Sequence, residues 1–383
     1  MNNLKFIRLL KRTRVFCDHD KYSGVLKQMA LRSTSTVSSQ KMKEKEVFHD
    51  ALPGIVDNLM MSPKLSKLPE VADWVKKVLD HNLTGGKHSR GLMTMFAYEM
   101  LEKPELITEE NLKLSRVLGW CLEMLQGYFC AVDDIMDGST TRRGMPCWYR
   151  MPNVGMGALN DCILMSSCIT ETLETYFLKS PQFVELVRLF HEAIVFTSMG
   201  QHIDYTMAHR AQADYSLFTM DRYDTIVQYK TSYYTFRLPV LLGLSLVKHV
   251  DQKMYADVDD ISFKLGKLFQ MQDDYIDCYG DEAITGKAGT DIQEGKCTWL
   301  AVTALEHCNE SQRKLFEKYY ASKDIEEVAI IKTLYNGLQI PNLYKQKENE
   351  LHENIVHRVR QLPSETAPTF FFKLIDQLYK RNR

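Results

Sequence analysis

The sequence predicts an all-α domain of roughly ten helices that begins near residue 45 and continues to the end of the 383-residue chain. Apolar residues recur at intervals of three or four, as at Cys121, Leu125 and Phe129, and this spacing is typical of amphipathic helices. No stretch shows the sustained alternation of apolar and polar residues that indicates a strand. With 19 glycines and 11 prolines, the composition does not favour a turn-rich β architecture.

Composition and charge exclude several classes of protein. The formal net charge of −1 gives no electrostatic reason to expect a nucleic-acid partner. The nine cysteines are odd in number and form no disulfide framework, which favours a reducing compartment. No pair has CxxC spacing, so no zinc site is expected. The longest apolar run, Leu238–Val247, is about half of the roughly 20 residues that span a bilayer, so no membrane span is expected.

The amino-terminal segment differs from the rest of the chain. Residues 1–40 contain eight basic and two acidic residues, and residues 33–39 read STSTVSS. A basic, serine-rich segment with few acids is typical of a mitochondrial transit peptide. The alternative is a disordered basic arm on a cytoplasmic protein. We therefore assign residues 1–44 to a leader and residues 45–383 to the helical domain.

Two aspartate clusters end two predicted long helices, at Asp133–Asp137 and at Asp273–Asp277. Positions i and i+4 of a helix share a face, so the first and last aspartates of each cluster project together. Carboxylates crowded on one turn repel each other, and a bound cation would offset that repulsion. Mg²⁺ binds through one or two carboxylates together with substrate phosphates. The pair of clusters therefore predicts a diphosphate held between metal ions.

Other interpretations of these clusters are weaker. A single DDxxD sequence is usually a solvated acidic helix end, but two copies at the ends of long apolar helices favour a shared function. An EF-hand loop needs acids at alternate positions, and Ile135 and Tyr275 occupy such positions.

Basic residues near both clusters could bind the diphosphate. Arginine suits phosphate because its planar guanidinium group donates two parallel hydrogen bonds. Each basic pair alone would be ordinary surface charge, and their arrangement around both clusters favours a common site. The candidates are Lys87 and Arg90 after a Gly-Gly turn, Arg142 and Arg143, Lys230 beside Thr231, and Lys287 and Lys296.

From about residue 50 to its last residue, the chain resembles the farnesyl diphosphate synthases, which are short-chain trans-isoprenyl diphosphate synthases. The resemblance rests on six segments: GGKHSRG, DDIMDGSTTRRG, GQHID, YKTSYYTF, FQMQDDYID and GKAGTDIQEGKCTW. It implies an isoprenoid-synthase-type bundle around a deep central cavity, usually as a homodimer. It also implies three Mg²⁺ ions, with Mn²⁺ as the alternative ion.

The resemblance implies a role for each matching residue. Asp133 and Asp137 would hold two metal ions and Asp273 the third, while Asp134 and Asp274 complete the catalytic motifs. The substrate contacts fall into three groups: Arg142, Lys230 and Lys287 with the allylic diphosphate; Lys87, Arg90, Gln126, Arg143 and the tail residue Arg381 with isopentenyl diphosphate; and Gln201 and Asp204 near the metals.

The implied reaction is a head-to-tail condensation of isopentenyl diphosphate with dimethylallyl and then geranyl diphosphate. Loss of the allylic diphosphate would leave a carbocation. The Lys230 and Thr231 carbonyls and the Gln270 side chain would face this cation. Released diphosphate would take the proton, so no protein nucleophile or base is needed.

Two aromatic residues bear on product length. Phe129 lies one helical turn before Asp133, about 6 Å further along the helix, and Tyr128 is its neighbour. A hydrocarbon chain that grows away from the metals would meet these rings, and in the family such rings accompany a fifteen-carbon product. Alternatively, both rings belong to the core, or the product is ten-carbon geranyl diphosphate. Three positions depart from the family pattern: Gly127, which could widen the chain pocket, Tyr205 and Arg237.

Two further functions remain on the same fold. One is a terpene synthase, which ionises a prenyl diphosphate and needs no isopentenyl diphosphate site. The presence of such a site, indicated by Lys87, Arg90, Gln126 and Arg143, argues against this function. A non-catalytic partner subunit could lose one aspartate cluster, and here both are complete.

Overall fold

The computed structural model describes residues 44–208, 214–281, 289–363 and 368–379. Backbone proximity divides the chain into two units, Met1–Ala51 and Leu52–Arg383. In the first unit, residues 44–50 form a helix that ends where the amide of Ala51 donates to the carbonyl of Phe48 at 3.3 Å. The assignment of residues 1–44 to a leader stays a prediction, because almost all of that segment lies outside the described residues.

The second unit is helical throughout most of its described length, which confirms the predicted all-α fold. The helices outnumber the roughly ten predicted, mainly because the carboxy-terminal part contains several short ones. They are α1 Leu52–Met60, α2 Pro69–Leu83, α3 Ser89–Leu101, α4 Glu109–Met136, α5 Ala158–Phe177, α6 Phe183–Ala208, α7 Met220–Ile226, a π-helix Val227–Arg237, α8 Leu238–Leu244, α9 Gln252–Tyr279, α10 Asp291–Glu294, α11 Trp299–His307, α12 Glu310–Tyr319, α13 Ile325–Gly337, α14 Ile340–Arg360 and α15 Pro368–Tyr379.

A small β-hairpin, which the sequence pattern did not predict, follows α4. Strand β1, Thr141–Arg142, pairs antiparallel with β2, Met145–Pro146. Arg143 and Gly144 connect the strands with φ of 54° and 76°. Two consecutive positive φ angles are typical of a type I′ turn, which matches the twist of a hairpin. Strands of two residues are too short to show the alternation by which strands are detected.

The two longest helices, α4 and α9, begin and end with clear local signals. Thr108 caps α4 by accepting a hydrogen bond from the Asn111 amide at 3.2 Å, and Asp251 caps α9 in the same way. Such caps satisfy amides that lack a partner in the first turn. α4 ends at Met136, inside its aspartate cluster, and α9 ends at Tyr279, two residues after its own. Each cluster therefore lies at the end of a long helix, as the sequence predicts.

Helices α7 and α8 and the π-helix between them follow one another without a break. α6 and α9 both pack on the π-helix. Gly200 and Gly266 permit this close approach: an added Cβ would lie 2.7 Å from Lys230 Cα at Gly200 and 2.8 Å from Ser232 Cα at Gly266. Because these two positions have no side chain, the backbones of α6 and α9 can pack directly against the π-helix that contains Lys230 and Thr231.

The order of packing brings the site residues to one region. α4 packs between α3 and α5, α8 packs on α3, and α6 and α9 flank the π-helix. The ends of α4 and α9 and the middle of the π-helix therefore meet inside the bundle. Among the described residues, no helix is long and apolar enough to cross a membrane.

Candidate active site

The three aspartates of the first cluster have different surroundings. Asp134 is buried and accepts hydrogen bonds on Oδ1 from Arg142 Nε at 3.0 Å and Nη2 at 2.5 Å. Asp133 and Asp137 are partly buried and lie one turn apart on the same face of α4. The three aspartates therefore differ in role: Asp134 anchors an arginine, whereas Asp133 and Asp137 lie next to lysines.

Asp133 is surrounded by polar donors. Gln201 Nε2 donates to its Oδ1 at 2.9 Å, and Lys230 Nζ lies 3.5 Å from the same oxygen. Burial alone would raise the pKa of Asp133, but Lys230, Lys296 and Arg142 together hold that pKa below its ordinary value. The carboxylate is therefore ionised at neutral pH.

Asp204 joins the two lysines. Its Oδ2 lies 2.5 Å from Lys230 Nζ and 3.3 Å from Lys296 Nζ. Although Asp204 is buried, these cations lower its pKa to about 2. Burial would lower the pKa of each lysine, but the neighbouring aspartates raise it instead. Asp204 and both lysines therefore stay charged.

Asp137 shows the opposite shift. Burial and the charge of Asp133 raise its pKa, although Lys296 Nζ lies 3.2 Å from its Oδ2. Lys296 therefore does not fully offset the cost of burying the Asp137 carboxylate beside Asp133.

The second cluster is tied to the π-helix through Gln270. Thr231 Oγ1 donates to Gln270 Oε1 at 2.7 Å, and Gln270 Nε2 donates to Asp274 Oδ1 at 2.9 Å. The Trp299 amide donates to the other oxygen of Asp274 at 2.8 Å. Burial and the neighbouring Asp273 raise the pKa of Asp274 to about 7 despite these hydrogen bonds. Bonds at both ends fix the orientation of the Gln270 carboxamide.

One short segment, Asp291–Trp299, connects the two clusters. The Asp291 amide donates to Asp277 Oδ1 at 3.0 Å, and the Trp299 amide donates to Asp274. Between them, Lys296 reaches Asp137 of the first cluster. The sequence-predicted pairing of the clusters therefore corresponds to a direct structural link.

Arg90 lies against the π-helix. Its Nη2 donates to Thr235 Oγ1 at 2.9 Å and to Tyr234 Oη at 3.1 Å, and its guanidinium carbon lies 4.6 Å from the Tyr234 ring centroid. These contacts bring α3 and the π-helix together at the base of the site.

Arg143 is brought to the turn that contains Lys87. Its Nη1 donates to the carbonyl of Gly85 at 3.2 Å, and a Cβ added at Gly86 would lie 3.0 Å from Arg143 Nε. Lys87 itself is exposed. Gln126 Nε2 is 2.7 Å from Cys130 Sγ, within its own helix.

Three aromatic rings pack against each other, in tilted and edge-to-face arrangements, one helical turn before the first cluster, and we call this group the ring stack. The centroids of Tyr128 and Phe129 are 5.1 Å apart, and Phe129 meets Tyr234 edge to face at 5.2 Å. The stack therefore includes a third ring, from the π-helix, which the helix geometry of α4 alone could not reveal.

The departures Gly127 and Arg237 have local explanations. A Cβ at Gly127 would lie 3.2 Å from Met165 Sδ and 3.5 Å from Asn82 Cβ, so this glycine allows α2 and α5 to approach α4. Arg237 pairs with Asp259, with Nε 2.5 Å from Oδ1. The structure gives no account of Tyr205.

A buried carboxylate that no sequence motif indicates anchors the hairpin. Asp161 accepts from Trp74 Nε1 at 2.8 Å on Oδ1 and from Trp148 Nε1 at 2.9 Å on Oδ2. Trp148 follows β2, so this bond ties the segment that carries Arg142 and Arg143 to α2 and α5. Nothing in the sequence pairs an aspartate with a tryptophan 87 positions away.

The aspartates fit a magnesium site by their chemistry, although, in the part of the chain that the structure describes, no three His, Cys, Asp or Glu side chains are arranged around a metal position. Their donor atoms are carboxylate oxygens, which Mg²⁺ prefers. Burial and the neighbouring charge of Asp133 raise the pKa of Asp137, and a bound cation would offset both effects. Two predicted site residues, Lys287 and Arg381, lie outside the described residues.

Residues 72–338 match the family model described as polyprenyl synthetase. A farnesyl pyrophosphate synthase of Murgantia histrionica is 36% identical over 371 residues, covering 95% of this chain and 90% of the relative. "Farnesyl pyrophosphate synthase 1, mitochondrial" of Arabidopsis thaliana is 37% identical over 346 residues, 90% of each protein. The structure of T. brucei farnesyl diphosphate synthase complexed with risedronate is similar with a TM-score of 0.81 at 31% identity, covering 89% of this chain and all of that one. The chain therefore belongs to the polyprenyl synthetase family of prenyltransferases.

Proposed function

We propose that this protein is a farnesyl diphosphate synthase, which condenses isopentenyl diphosphate with dimethylallyl diphosphate and then with geranyl diphosphate. The observation that carries the proposal is the link between the two aspartate clusters, in which Asp291–Trp299 bonds to both and Lys230 and Lys296 lie among the carboxylates. Relatives named farnesyl pyrophosphate synthase that align with most of the chain support the same function.

The metal and substrate contacts form part of this proposal. Asp133, Asp137 and Asp273 would hold three Mg²⁺ ions, which when bound supply positive charge for the departing diphosphate. Arg142, Lys230 and Lys287 would bind the allylic diphosphate. Isopentenyl diphosphate would meet a separate set of cations and one amide, namely Lys87, Arg90, Arg143, Arg381 and Gln126.

The chain's own dipoles would then face the allylic cation. The C–O bond to the diphosphate breaks, and the double bond of isopentenyl diphosphate forms a new C–C bond at that carbon. A proton then leaves to the released diphosphate. Gln270 is suited to stabilise the cation because Thr231 and Asp274 fix its orientation, so its dipole needs no reorganisation. Exclusion of water protects the cation from hydrolysis.

The ring stack supports a fifteen-carbon product. Phe129 contacts both Tyr128 and Tyr234, so its ring would be a barrier to a growing chain one turn before Asp133. In Phe129→Ala, the product should lengthen beyond fifteen carbons, because the chain would extend past the missing ring. Phe129→Tyr keeps the ring and should keep farnesyl diphosphate. Unchanged products in Phe129→Ala would place the barrier elsewhere.

A homodimer through α5 and α6 is the association that we propose. Five of the large hydrophobic side chains that are exposed among the described residues lie on these two helices: Leu159, Ile163, Val184, Val195 and Met199. Contiguous exposed apolar patches mark interaction surfaces, and we propose that these side chains form one. Light scattering should give twice the chain mass for the wild type and the chain mass for Ile163→Glu combined with Met199→Glu. A monomeric wild type would contradict the dimer.

We propose a mitochondrial location on the basis of the leader, residues 1–44. Its charge and serine content, together with the mitochondrial relative, support import into mitochondria. A fusion of residues 1–45 to a fluorescent protein should colocalise with a mitochondrial stain. A diffuse cytoplasmic signal would favour the cytoplasmic alternative.

Product analysis tests the function directly. The purified protein is incubated with Mg²⁺, isopentenyl diphosphate and dimethylallyl diphosphate, and the dephosphorylated products are identified by gas chromatography with mass detection. We expect farnesol as the main alcohol. Geraniol alone would indicate a geranyl diphosphate synthase, a cyclic hydrocarbon a terpene synthase, and no product a non-catalytic subunit. Asp133→Ala should abolish turnover, whereas Asp57→Ala, which removes an exposed lysine-paired aspartate, should preserve it.

A further inference from the structure

Lys296 is buried and in contact with carboxylates from three elements. Its Nζ lies 3.2 and 3.3 Å from the two oxygens of Asp137 at the C-cap of α4, 3.3 Å from Asp204 on α6, and 3.7 Å from Glu294 on α10. An ammonium group has three N–H donors, so these neighbours saturate it. Lys296 cannot also bind a diphosphate oxygen without releasing a carboxylate.

The position of this ammonium group matters for metal binding. Asp137 is one of the carboxylates assigned to Mg²⁺, and Lys296 reaches both of its oxygens. Removing the lysine would leave Asp137 and Asp204 with less positive charge in a buried setting, which is costly. A lysine ammonium and a metal ion are thus alternative cations for the same oxygens.

Building on the proposed function, we propose that Lys296 is a positioning residue that serves as an internal counter-cation, holding Asp137 and Asp204 together until metal ions arrive with a diphosphate. A metal ion that binds alone would have to displace the Lys296 ammonium group from Asp137. A metal–diphosphate complex would also supply phosphate oxygens, which can accept hydrogen bonds from that ammonium group. Metal binding and diphosphate binding are then coupled, each strengthening the other. Lys230, which contacts Asp204 and Asp133, lies in the same network.

A Mn²⁺ titration tests this inference without any isoprenoid substrate. Free Mn²⁺ is measured by electron paramagnetic resonance with the full-length protein, first alone and then with inorganic diphosphate. In Lys296→Met, Mn²⁺ alone should bind about tenfold more tightly, because a positive charge a few ångströms from the ion is gone. The gain from adding inorganic diphosphate should shrink by a similar factor. Lys296→Arg keeps the charge and should resemble the wild type.

Lys267→Met is the matched control. Lys267 pairs with Asp224 at 2.6 Å, is also mostly buried, and lies outside the Lys296 network, so Mn²⁺ affinity should not change. Should Lys296→Met fail to fold, Lys296→Gln removes the charge but keeps two N–H donors, and it should show the same tightening. Unchanged or weaker Mn²⁺ affinity in a folded, uncharged variant would overturn the inference.

The titration also separates this inference from the proposed function. If Lys296→Met shows the tighter binding but the wild type forms no prenyl product, the counter-cation role stands and the synthase activity does not. If the wild type makes farnesyl diphosphate but Lys296→Met binds Mn²⁺ no more tightly, the synthase activity stands and the counter-cation role does not.

Discussion

The six aspartates of the two clusters repeat one motif, yet their surroundings set them apart. Asp134 anchors Arg142, Asp133 has a lowered pKa among three cations, and Asp137, four residues later, has a raised one. In the second motif, Asp274 is buried and accepts hydrogen bonds from a side chain and an amide. Position in the motif therefore does not determine the role of a carboxylate; its neighbours do.

Asp274 should make the metal-free protein less stable as the pH rises. Its pKa is about 7 in the folded state and near 3.8 in the unfolded chain, so between these values the folded state binds more protons. The free energy of unfolding should therefore fall as the pH rises from 5 to 7 and level off above that. Denaturant titrations in a metal chelator, compared with Asp274→Asn, measure this contribution. The prediction fails if both proteins show the same slope.

For single residues, the sequence predicts the features that depend only on the geometry of one helix. The shared face of Asp133 and Asp137 and the position of Phe129 one turn away follow from the period of the helix. The partners of Arg90 and Lys296 do not, because Thr235 and Asp204 lie far along the chain and meet them only after packing. A basic residue in a motif is visible in the sequence, but what it contacts is not.

Among the secondary-structure elements, the π-helix is the least ordinary. π-helices are rare and frequent at functional sites. This one contains Lys230, Thr231 and Tyr234, which contact the first cluster, Gln270 and the ring stack respectively. The sequence singles out this segment through its lysine and aromatic residues, but not its i→i+5 geometry. That geometry accompanies backbone packing against Gly200 and Gly266, which lie on other helices.

Gly200→Ala should displace the π-helix. The added Cβ would lie 2.7 Å from Lys230 Cα, a backbone atom that cannot rotate away. Overpacking of this kind typically costs about 1–3 kcal/mol, and turnover should fall further because Lys230 and Thr231 move. Thermal melting and product formation are the measurements.

Gly54→Ala is the control for this substitution. Gly54 is also helical, in α1, and its Cβ would meet nothing within 4 Å. Alanine there should leave activity unchanged and stabilise the helix by about 0.5–1 kcal/mol. Equal effects of the two substitutions would mean that the close approach at Gly200 has no special role.

In the molecule as a whole, the amphipathic period predicts the helical fold but not which helices are neighbours. α15 near the carboxy terminus packs on α14 and on α3, more than 250 residues earlier in the chain. Its side chains Phe370, Phe371, Leu374 and Ile375 are buried. Such long-range contacts depend on the complementary shapes of several helices, which spacing in one segment does not encode.

Two truncations should separate the stabilising part of the carboxy terminus from its proposed substrate contact. Removal of residues 364–383 should lower stability by several kcal/mol, since each large apolar side chain contributes about 1.5–3 kcal/mol on burial. Removal of residues 380–383 alone should leave the melting temperature nearly unchanged but raise the KM for isopentenyl diphosphate, because Arg381 is lost. Equal loss of stability in both would contradict this division.

Asp161 gives the protein an internal optical reporter. Two of its four tryptophans, Trp74 and Trp148, donate to that one carboxylate, and their ring centroids lie 5.9 Å apart. Because Trp148 follows the hairpin that carries Arg142 and Arg143, a movement of these arginines toward a ligand would also shift an indole. Intrinsic ultraviolet emission should therefore report the hairpin's response to each substrate in unlabelled protein, on the timescale of rapid mixing.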